Sequence, residues 1–546
     1  MFRVRGSERK EEMGITEVLW LYSTMILIVL GLISVLYWYG TRNFNYFEKR
    51  KLAFVKPAPF VGTMGSVMFR KLSFPDCVLQ QYNQLKGHTY GGIFEFMNPT
   101  VMLRDPDLIK TVTVKDFDYF TDHRAIITEE SDPLWGKGIF NLQGQQWKDM
   151  RSTLSPAFTS SKMKMMFVLV TECGKQLVDF LENCCLGYTP DKVCQIEKEG
   201  DNLVVEMKDL FTRFTNDVIA TTAFGVTVDS LKKPSNDFYL LGKEAANFNG
   251  PRAFVWFGYG LSPKMMKMLR IPLIPNKVNS FFRSLIMDTM STREREGIIR
   301  PDLIQLMMQA KKGTLQDDKS PDNNDKAVLT DDDIAAQAFL FFLGGFDTTS
   351  TILCFATHEL AVHPEAQDKL LKEVDSTLKE CGGSITYEAL HNMKYLDMVL
   401  SETMRLYPPL ATLERCCVKS YTLPADPPLE MKPGDGIWIP VYALHRDPDY
   451  FPDPERFDPE RFSDENKHNI KPFTYVPFGV GPRNCIGSRF ALMETKIAMV
   501  HLLSRFSLKV VSKTPIPIQI TKKGFSMTVD EGFWLGLERR STKQIN

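Results

Sequence analysis

No C-x-x-C pair occurs in these 546 residues, so the sequence does not support a zinc ribbon or a thioredoxin-like redox pair. Cysteine itself is scarce. Of ten, Cys184-Cys185 and Cys416-Cys417 are adjacent and poorly placed for bridges, which argues against a disulfide scaffold and fits a reducing compartment. Net charge is absent too, with Lys plus Arg and Asp plus Glu at 66 each. Without a basic field or a basic, aromatic-rich strip there is no nucleic-acid motif. Nor is there a dinucleotide-binding G-x-G-x-x-G or an internal repeat.

Charge is missing locally from Val18 to Thr41. As a helix this stretch extends about 36 Å, enough to cross a hydrocarbon core of ~30 Å. Trp20, Tyr22, Tyr37, Trp38 and Tyr39 lie toward its ends, where amphipathic rings settle among headgroups. A cleaved signal peptide is the rival reading, but the run is too long and its exit, Trp38-Tyr39-Gly40-Thr41-Arg42, lacks a small-residue cleavage site. The expected organisation is an N-terminal segment 1–17, an uncleaved transmembrane anchor 18–41, a basic, proline-rich hinge 42–65 and a body 66–546. Alternate prolines in Lys56-Pro57-Ala58-Pro59 stiffen the hinge. Arg3, Arg5, Arg9 and Lys10 nearly balance Arg42, Lys49, Arg50, Lys51 and Lys56 across the span. Initiation at Met13 would remove the leading charges and direct the body to the cytosol. Lys311 to Lys326, with Leu315 its only aliphatic residue, reads as a solvated loop.

The body carries mostly helical periodicity, with short alternating runs at Ile93 to Leu103 and Ile437 to Tyr442, so a mainly α fold with small β-sheets is expected. Thr330 with Asp333 three residues on resembles a capping box, and Pro364 closes that segment, giving a helix of about 32 residues. A second helix should start just after Cys485, with Phe490, Met493, Ile497 and Val500 as its core stripe.

The strongest chemical signal is Phe478-Gly479-Val480-Gly481-Pro482-Arg483-Asn484-Cys485-Ile486-Gly487, a glycine-rich loop delivering a cysteine to a helix N-terminus. Gly479, Gly481 and Gly487 suit tight turns and close approach of a flat ligand, while backbone N–H groups and the helix dipole favour a thiolate. A thiolate so placed can ligate iron. A buried structural cysteine would explain one glycine, not this whole pattern. Within the long helix, Gly344-Gly345-Phe346-Asp347-Thr348-Thr349 places two helix-weakening glycines before an acid and a hydroxyl. Alone it would be a bent core helix with a polar turn.

The cysteine loop resembles the haem-binding signature of the cytochrome P450 family, and further motifs repeat the resemblance over most of the body. Glu402-Thr403-Met404-Arg405 is similar to the family's E-x-x-R pair, whose members share a helix face. Phe457-Asp458-Pro459-Glu460-Arg461-Phe462 resembles its P-E-R-F box, with Arg461 completing a buried ion network with Glu402 and Arg405. Pro454-Glu455-Arg456-Phe457 also fits the box, but Phe457 supplies the Phe that usually precedes it by two residues. The resemblance implies a cytochrome P450 fold behind a single transmembrane helix, with haem b ligated by Cys485. It implies that Thr348 bonds iron-bound oxygen and Asp347 feeds protons toward it. Trp147, Arg151, Arg415 and Arg483 become haem-propionate partners, with His123 or Arg124 as a further contact, and Phe478, Gly481 and Gly487 line the haem.

By the same resemblance, the chain is closest to the microsomal branch that holds drug-metabolising and insect detoxification enzymes. The implied activity is hydroxylation or epoxidation of apolar organic substrates, xenobiotics or endogenous lipids and hormones, using O2 and electrons from NADPH through NADPH-cytochrome P450 reductase, with cytochrome b5 as a second donor. The implied location is the endoplasmic reticulum membrane with the body in the cytosol. Substrate contacts are expected at Phe117, Phe120, Phe140, Phe341, Phe342, Leu410 and Leu413, with Phe254 to Phe257 and Phe525 nearby. Lys148, Arg489 and Lys496 are the expected docking cations. A haem-thiolate isomerase or dehydratase would need neither electrons nor the Asp347-Thr348 pair, and a non-catalytic haem protein would need no oxygen-activation turn. NADPH-dependent turnover separates all three.

Overall fold

The computed structural model describes residues 15–540, apart from 125, 126, 128, 189–194, 201, 248–250 and 314–328. The polar stretch after Lys311 therefore lies largely outside the described residues. Helices dominate. Those needed below are the N-terminal α1 (Ile15–Thr41) and the helices that line or support the site, α2 (Gly144–Leu154), α3 (Ser160–Cys185), α4 (Met207–Ile219), α5 (Leu303–Lys311), α6 (Asp331–Val362), α7 (Lys394–Leu406) and α8 (Ser488–Arg505).

Among the described residues the strands form three small sheets. The first pairs β1 (Tyr90–Glu95), β2 (Asn98–Leu103), β8 (Gly436–Ile439) and β5 (Leu413–Cys416) in that order, with β2 and β8 parallel. The second runs β3 (Ile196–Glu199), β4 (Asn202–Glu206), β10 (Trp534–Arg539) and β9 (Phe506–Lys509), and β6 (Tyr421–Leu423) pairs with β7 (Leu429–Met431). Ile93 to Leu103, expected as one run, is a hairpin: Phe96 sits at its turn with φ +55°. Ile437 to Tyr442 is shorter than expected, because Pro440 ends the strand and Val441–Leu444 turns helical.

The helix α6 runs unbroken for 32 residues through the core. Its capping box is complete, with the Asp333 N–H donating to Thr330 Oγ1 (3.1 Å) and the Thr330 N–H to Asp333 Oδ2 (2.9 Å). Gly344 and Gly345 do not interrupt it. A Cβ on Gly345 would stand 2.5 Å from the Ile219 side chain, so this glycine lets α4 pack closely against α6. α8 departs from a one-face stripe, since Met493 through Val500 are buried all round, Glu494 and Lys496 included.

The segment expected to act as a hinge is folded onto the body. Phe47 is fully buried in the slot left by Gly92, where an added Cβ would stand 2.4 Å from its ring. The Val55 N–H donates to the Gly92 carbonyl and the Gly92 N–H to that of Ala53, both at 2.9 Å, so this stretch extends the first sheet beside β1. Among the described residues two helices have the length and hydropathy to cross a membrane, α1 from Leu19 to Thr41 and α6; α6 is mostly buried in the core, whereas the α1 span is not buried in the body.

Candidate active site

Between α6 and the loop before α8 lies a cavity of about 360 Å³. Phe478 to Gly487 reaches it without regular structure. Gly479 and Gly481 both have φ +73°, and a Cβ on Gly481 would stand 1.9 Å from the Thr113 carbonyl oxygen, so the loop closes at a spacing only glycine permits. Gly487 is different. Its φ is −91° and an added Cβ would meet only Phe158, at 4.0 Å, so neither strain nor crowding explains it; it is the N-cap of α8. The Cys485 N–H donates to the Phe478 carbonyl (2.8 Å), and the sulfur borders the cavity. Although the residue has exposed surface, that surface is cavity wall deep in the molecule. Burial pushes the thiol pKa up, while the Gly487 N–H and Arg151 pull it down.

α6 contributes Leu340, Phe341, Gly344, Gly345, Thr348 and Thr349 to the same cavity. Thr348 Oγ1 donates to the Gly344 carbonyl. Asp347 does not reach the cavity wall; its Oδ1 accepts from Lys208 Nζ at 2.8 Å, and that ammonium also bonds Ser350 Oγ (2.9 Å) and Thr351 Oγ1 (2.7 Å). Adjacent helical residues point about 100° apart, so Asp347 and Thr348 face different surroundings. The same geometry separates Phe341 from Phe342. Phe341 lines the cavity, whereas Phe342 is buried among Phe224, Phe238, Phe282 and Phe346 and is core, not a substrate contact.

Phe117 and Phe120 are likewise corrected. Phe117 packs on Trp147 with ring centroids 5.6 Å apart, Phe120 on Tyr421 at 5.0 Å, and neither borders the cavity. Phe254 is exposed, while Phe257 packs with Phe96 and Phe525 in a separate cluster. Phe140, Leu410 and Leu413 do line the cavity. Sequence reasoning missed Phe158, Met166, Ile219, Thr222, Ala223 and Leu303, which complete an apolar wall from α3, α4, α5 and the turns beside them. No local motif marks them.

On the polar side stand His123, Trp147, Arg151, Arg415 and Arg483. Arg151 holds the cysteine loop through the Asn484 carbonyl (2.9 Å) and Asn484 Oδ1 (2.8 Å). Arg483 directs its N–H groups to the carbonyls of Thr121 (2.6 Å), Leu142 (2.7 Å), Ile139 and Phe140 (3.3 Å each), so here it ties the 121–142 loop to the cysteine loop instead of presenting donors to the cavity. Arg415 is buried with Nε unpartnered, and burial lowers its pKa to about 10. His123 Nδ1 is also buried and unpartnered. Arg124, the alternative to His123, turns away to Glu95 (2.6 Å). A flat group with a central iron and two carboxylates on one edge fits this arrangement: a sulfur ligand, apolar walls, and unpaired buried nitrogens on one side.

Behind the cavity, Glu402 and Arg405 form a fully buried two-point pair, Arg405 Nε to Oε2 at 2.7 Å and Nη2 to Oε1 at 2.8 Å. Arg461 Nε stands 3.4 Å from Glu402 Oε1, whereas Arg456 is exposed and offers only its backbone carbonyl to Arg405 (3.2 Å). Among the expected docking cations, Lys496 is buried against Asp397 (2.7 Å) and is withdrawn from any surface. Lys148 pairs with Asp118 (2.8 Å) on the surface, and Arg489 is exposed.

Residues 54–535 match the sequence profile of the family described as Cytochrome P450. The chain is 58% identical over 532 residues to Cytochrome P450 9e2 of Blattella germanica, covering 96% of this chain and 99% of that one. It is 40% identical over 533 residues to Probable cytochrome P450 9f2 of Drosophila melanogaster, covering 96% and 100%, and 36% identical over 516 residues to Cytochrome P450 6j1 of Blattella germanica, covering 94% and 98%. With a sulfur and a hydroxyl brought to one apolar cavity and relatives matched end to end, the chain belongs to the cytochrome P450 family and is a haem-thiolate monooxygenase that binds haem b through a cysteine.

Proposed function

We propose that Cys485 would supply the sulfur that holds the haem iron and that the enzyme oxidises apolar organic molecules, xenobiotics or endogenous lipids and hormones, with electrons from NADPH-cytochrome P450 reductase and, secondarily, cytochrome b5. The observation that carries this reading is one cavity bordered by Cys485, Thr348, Arg415 and His123, the last two each with a buried nitrogen that has no partner. When bound, haem supplies the redox iron at which dioxygen is reduced and one oxygen atom passes to substrate. Trp147, Arg151, Arg415 and His123 would orient its carboxylates, and Arg483 braces residues 121–142 against the cysteine loop. Leu340, Phe341, Phe140, Leu410 and Leu413 exclude water and hold an apolar substrate. Asp347, partly open to solvent and paired with Lys208, takes up protons, and Thr348 presents them to the cavity. Arg489 and Lys148 offer positive charge to an acidic electron donor.

Thr348→Ala tests the proton role. Ala is a better helix former than Thr, and the hydroxyl bonds only its own helix, so folding and haem content should survive. General acid catalysis contributes typically ~10²- to 10⁴-fold, which leaves room for a large loss of coupling. Product per NADPH should fall several-fold while hydrogen peroxide rises. Unchanged coupling at unchanged turnover would reduce the Gly344 to Thr349 turn to scaffold.

We further propose that α1 anchors the chain in the endoplasmic reticulum membrane with the body in the cytosol. Deletion through Thr41 should weaken retention after alkaline carbonate washing without removing haem binding. Some retention should persist, because Phe254, Met268 and Leu269 remain exposed apolar surface. Full recovery of the intact chain in the soluble fraction would refute the anchor.

A further inference from the structure

Glu494 lies nine residues after Cys485 on α8, its side chain fully buried. Neither carboxyl oxygen has a fully formed hydrogen bond. Among the described residues no cation pairs with it, and the Thr349 hydroxyl is the one group that offsets the cost of its burial, at a geometry short of a complete bond. An ionised carboxylate in that position would carry a large desolvation cost that one incomplete hydrogen bond does not balance. The group is therefore an un-ionised acid with one O–H to donate. On the α3 side the nearby Cys173 thiol is itself kept un-ionised, chiefly by burial.

Thr349 is the matching orphan. Hydroxyl residues on a helix commonly donate to the carbonyl four residues back, and on α6 Thr348 does so to Gly344, Ser350 to Phe346 (3.1 Å) and Thr357 to Leu353 (2.7 Å). The Thr349 hydroxyl is buried and makes no such bond, yet the residue borders the cavity beside Thr348. Two buried polar groups without other partners thus face each other across the contact between the helix that follows the iron-binding cysteine and the helix that carries the oxygen-side threonines.

We infer that Glu494 is a positioning residue: it donates its O–H to Thr349 Oγ1 and holds that hydroxyl out of the helix backbone, fixing the oxygen side of the cavity relative to the cysteine side. The inference rests on the proposed function and adds to it a polar tie between the two helices. Substitutions at either end of one tie should not add.

The test uses the full-length holoenzyme as wild type, Glu494→Gln, Glu494→Leu, Thr349→Val and the Glu494→Leu/Thr349→Val double variant. Product per NADPH and the reduced-CO spectrum are measured for each, and infrared difference spectra between variants follow the carbonyl stretch of a protonated carboxyl. Glu494→Leu and Thr349→Val should each lose coupling several-fold with the thiolate-type CO band retained. The double variant should be no worse than the poorer single one. Glu494→Gln, which keeps an N–H donor for Thr349, should recover most of what Glu494→Leu loses. The protonated-carboxyl band should vanish in Glu494→Gln and shift in Thr349→Val. Additive losses, full coupling in Glu494→Leu, or a carboxyl band unmoved by Thr349→Val would each overturn the inference. Should Glu494→Leu fail to hold haem, the band in Thr349→Val decides alone. A shifted band alongside unchanged coupling in Thr348→Ala would support the Glu494–Thr349 tie while removing the proton role proposed for Thr348.

Discussion

Cys485→Ser is expected to abolish the red-shifted, thiolate-type Soret band of the reduced CO complex, and product formation with it. Sulfur is the softer and more readily ionised donor, and thiolate donation is what favours O–O cleavage in these enzymes. A serine hydroxyl provides neither at neutral pH. Backbone geometry should survive, because the loop is held by the Cys485 N–H on Phe478, the Gly481 contact with Thr113 and the Arg151 bonds to Asn484. The side chain borders a cavity and contributes little to core packing. Among the described residues no other cysteine lines that cavity, so no second thiol stands ready to replace it. A retained thiolate-type band in the variant would remove Cys485 as the ligand.

The second large effect concerns Arg405. Removing one partner of a buried ion pair typically costs ~3–5 kcal/mol, since the remaining charge is left without solvent or counterion. Arg405→Met would strand Glu402, and Arg461, 3.4 Å away, offers only partial compensation. It would also leave the carbonyls of His445 (now bonded at 2.8 Å) and Arg456 (3.2 Å) without their donor. Against a typical domain stability of ~5–15 kcal/mol, most of the expressed chain should fail to hold haem, measured as CO-active enzyme per total protein. The double Glu402→Leu/Arg405→Met variant removes the stranded charge and should recover part of that loss. It should not recover all, because the Asp458 N–H on Glu402 (2.9 Å) and the two carbonyls stay unpaired. Normal haem content in Arg405→Met would show the network to be dispensable.

What could be read from the sequence is what is local in it. The cysteine loop, the capping box at Thr330 and the i, i+3 pair Glu402–Arg405 each fit within a few residues, so spacing alone carries their geometry. The mainly α fold with small sheets followed from periodicity. Pairings across the chain were not legible: Lys208 reaches Asp347 from 139 positions away, and nothing near Asp347 signals that its carboxylate is engaged outside the cavity. Aromatic residues failed for a related reason. Phe341 and Phe342 have the same chemistry, and only the rotation of α6 decides which faces the cavity and which the core. Lys496 and Glu494 look like solvated charges on a helix with one apolar stripe, but from Met493 to Val500 α8 is enclosed on all sides by tertiary packing. The seating of Phe47 on the body was not legible because the glycine slot that receives it belongs to β1, a separate part of the chain.

That seating sets how the enzyme searches its surroundings. A free 24-residue linker would let the body wander over roughly 25–29 Å from its point of attachment. Here the helix ends at Thr41 and Phe47 is already fixed in the body, leaving Arg42 to Tyr46 to span the gap. With α1 as the anchor proposed above, so short a leash would leave the body little freedom to tumble above a bilayer. An electron donor held in the same membrane would then meet it in two dimensions, at about the same height and from a restricted set of angles.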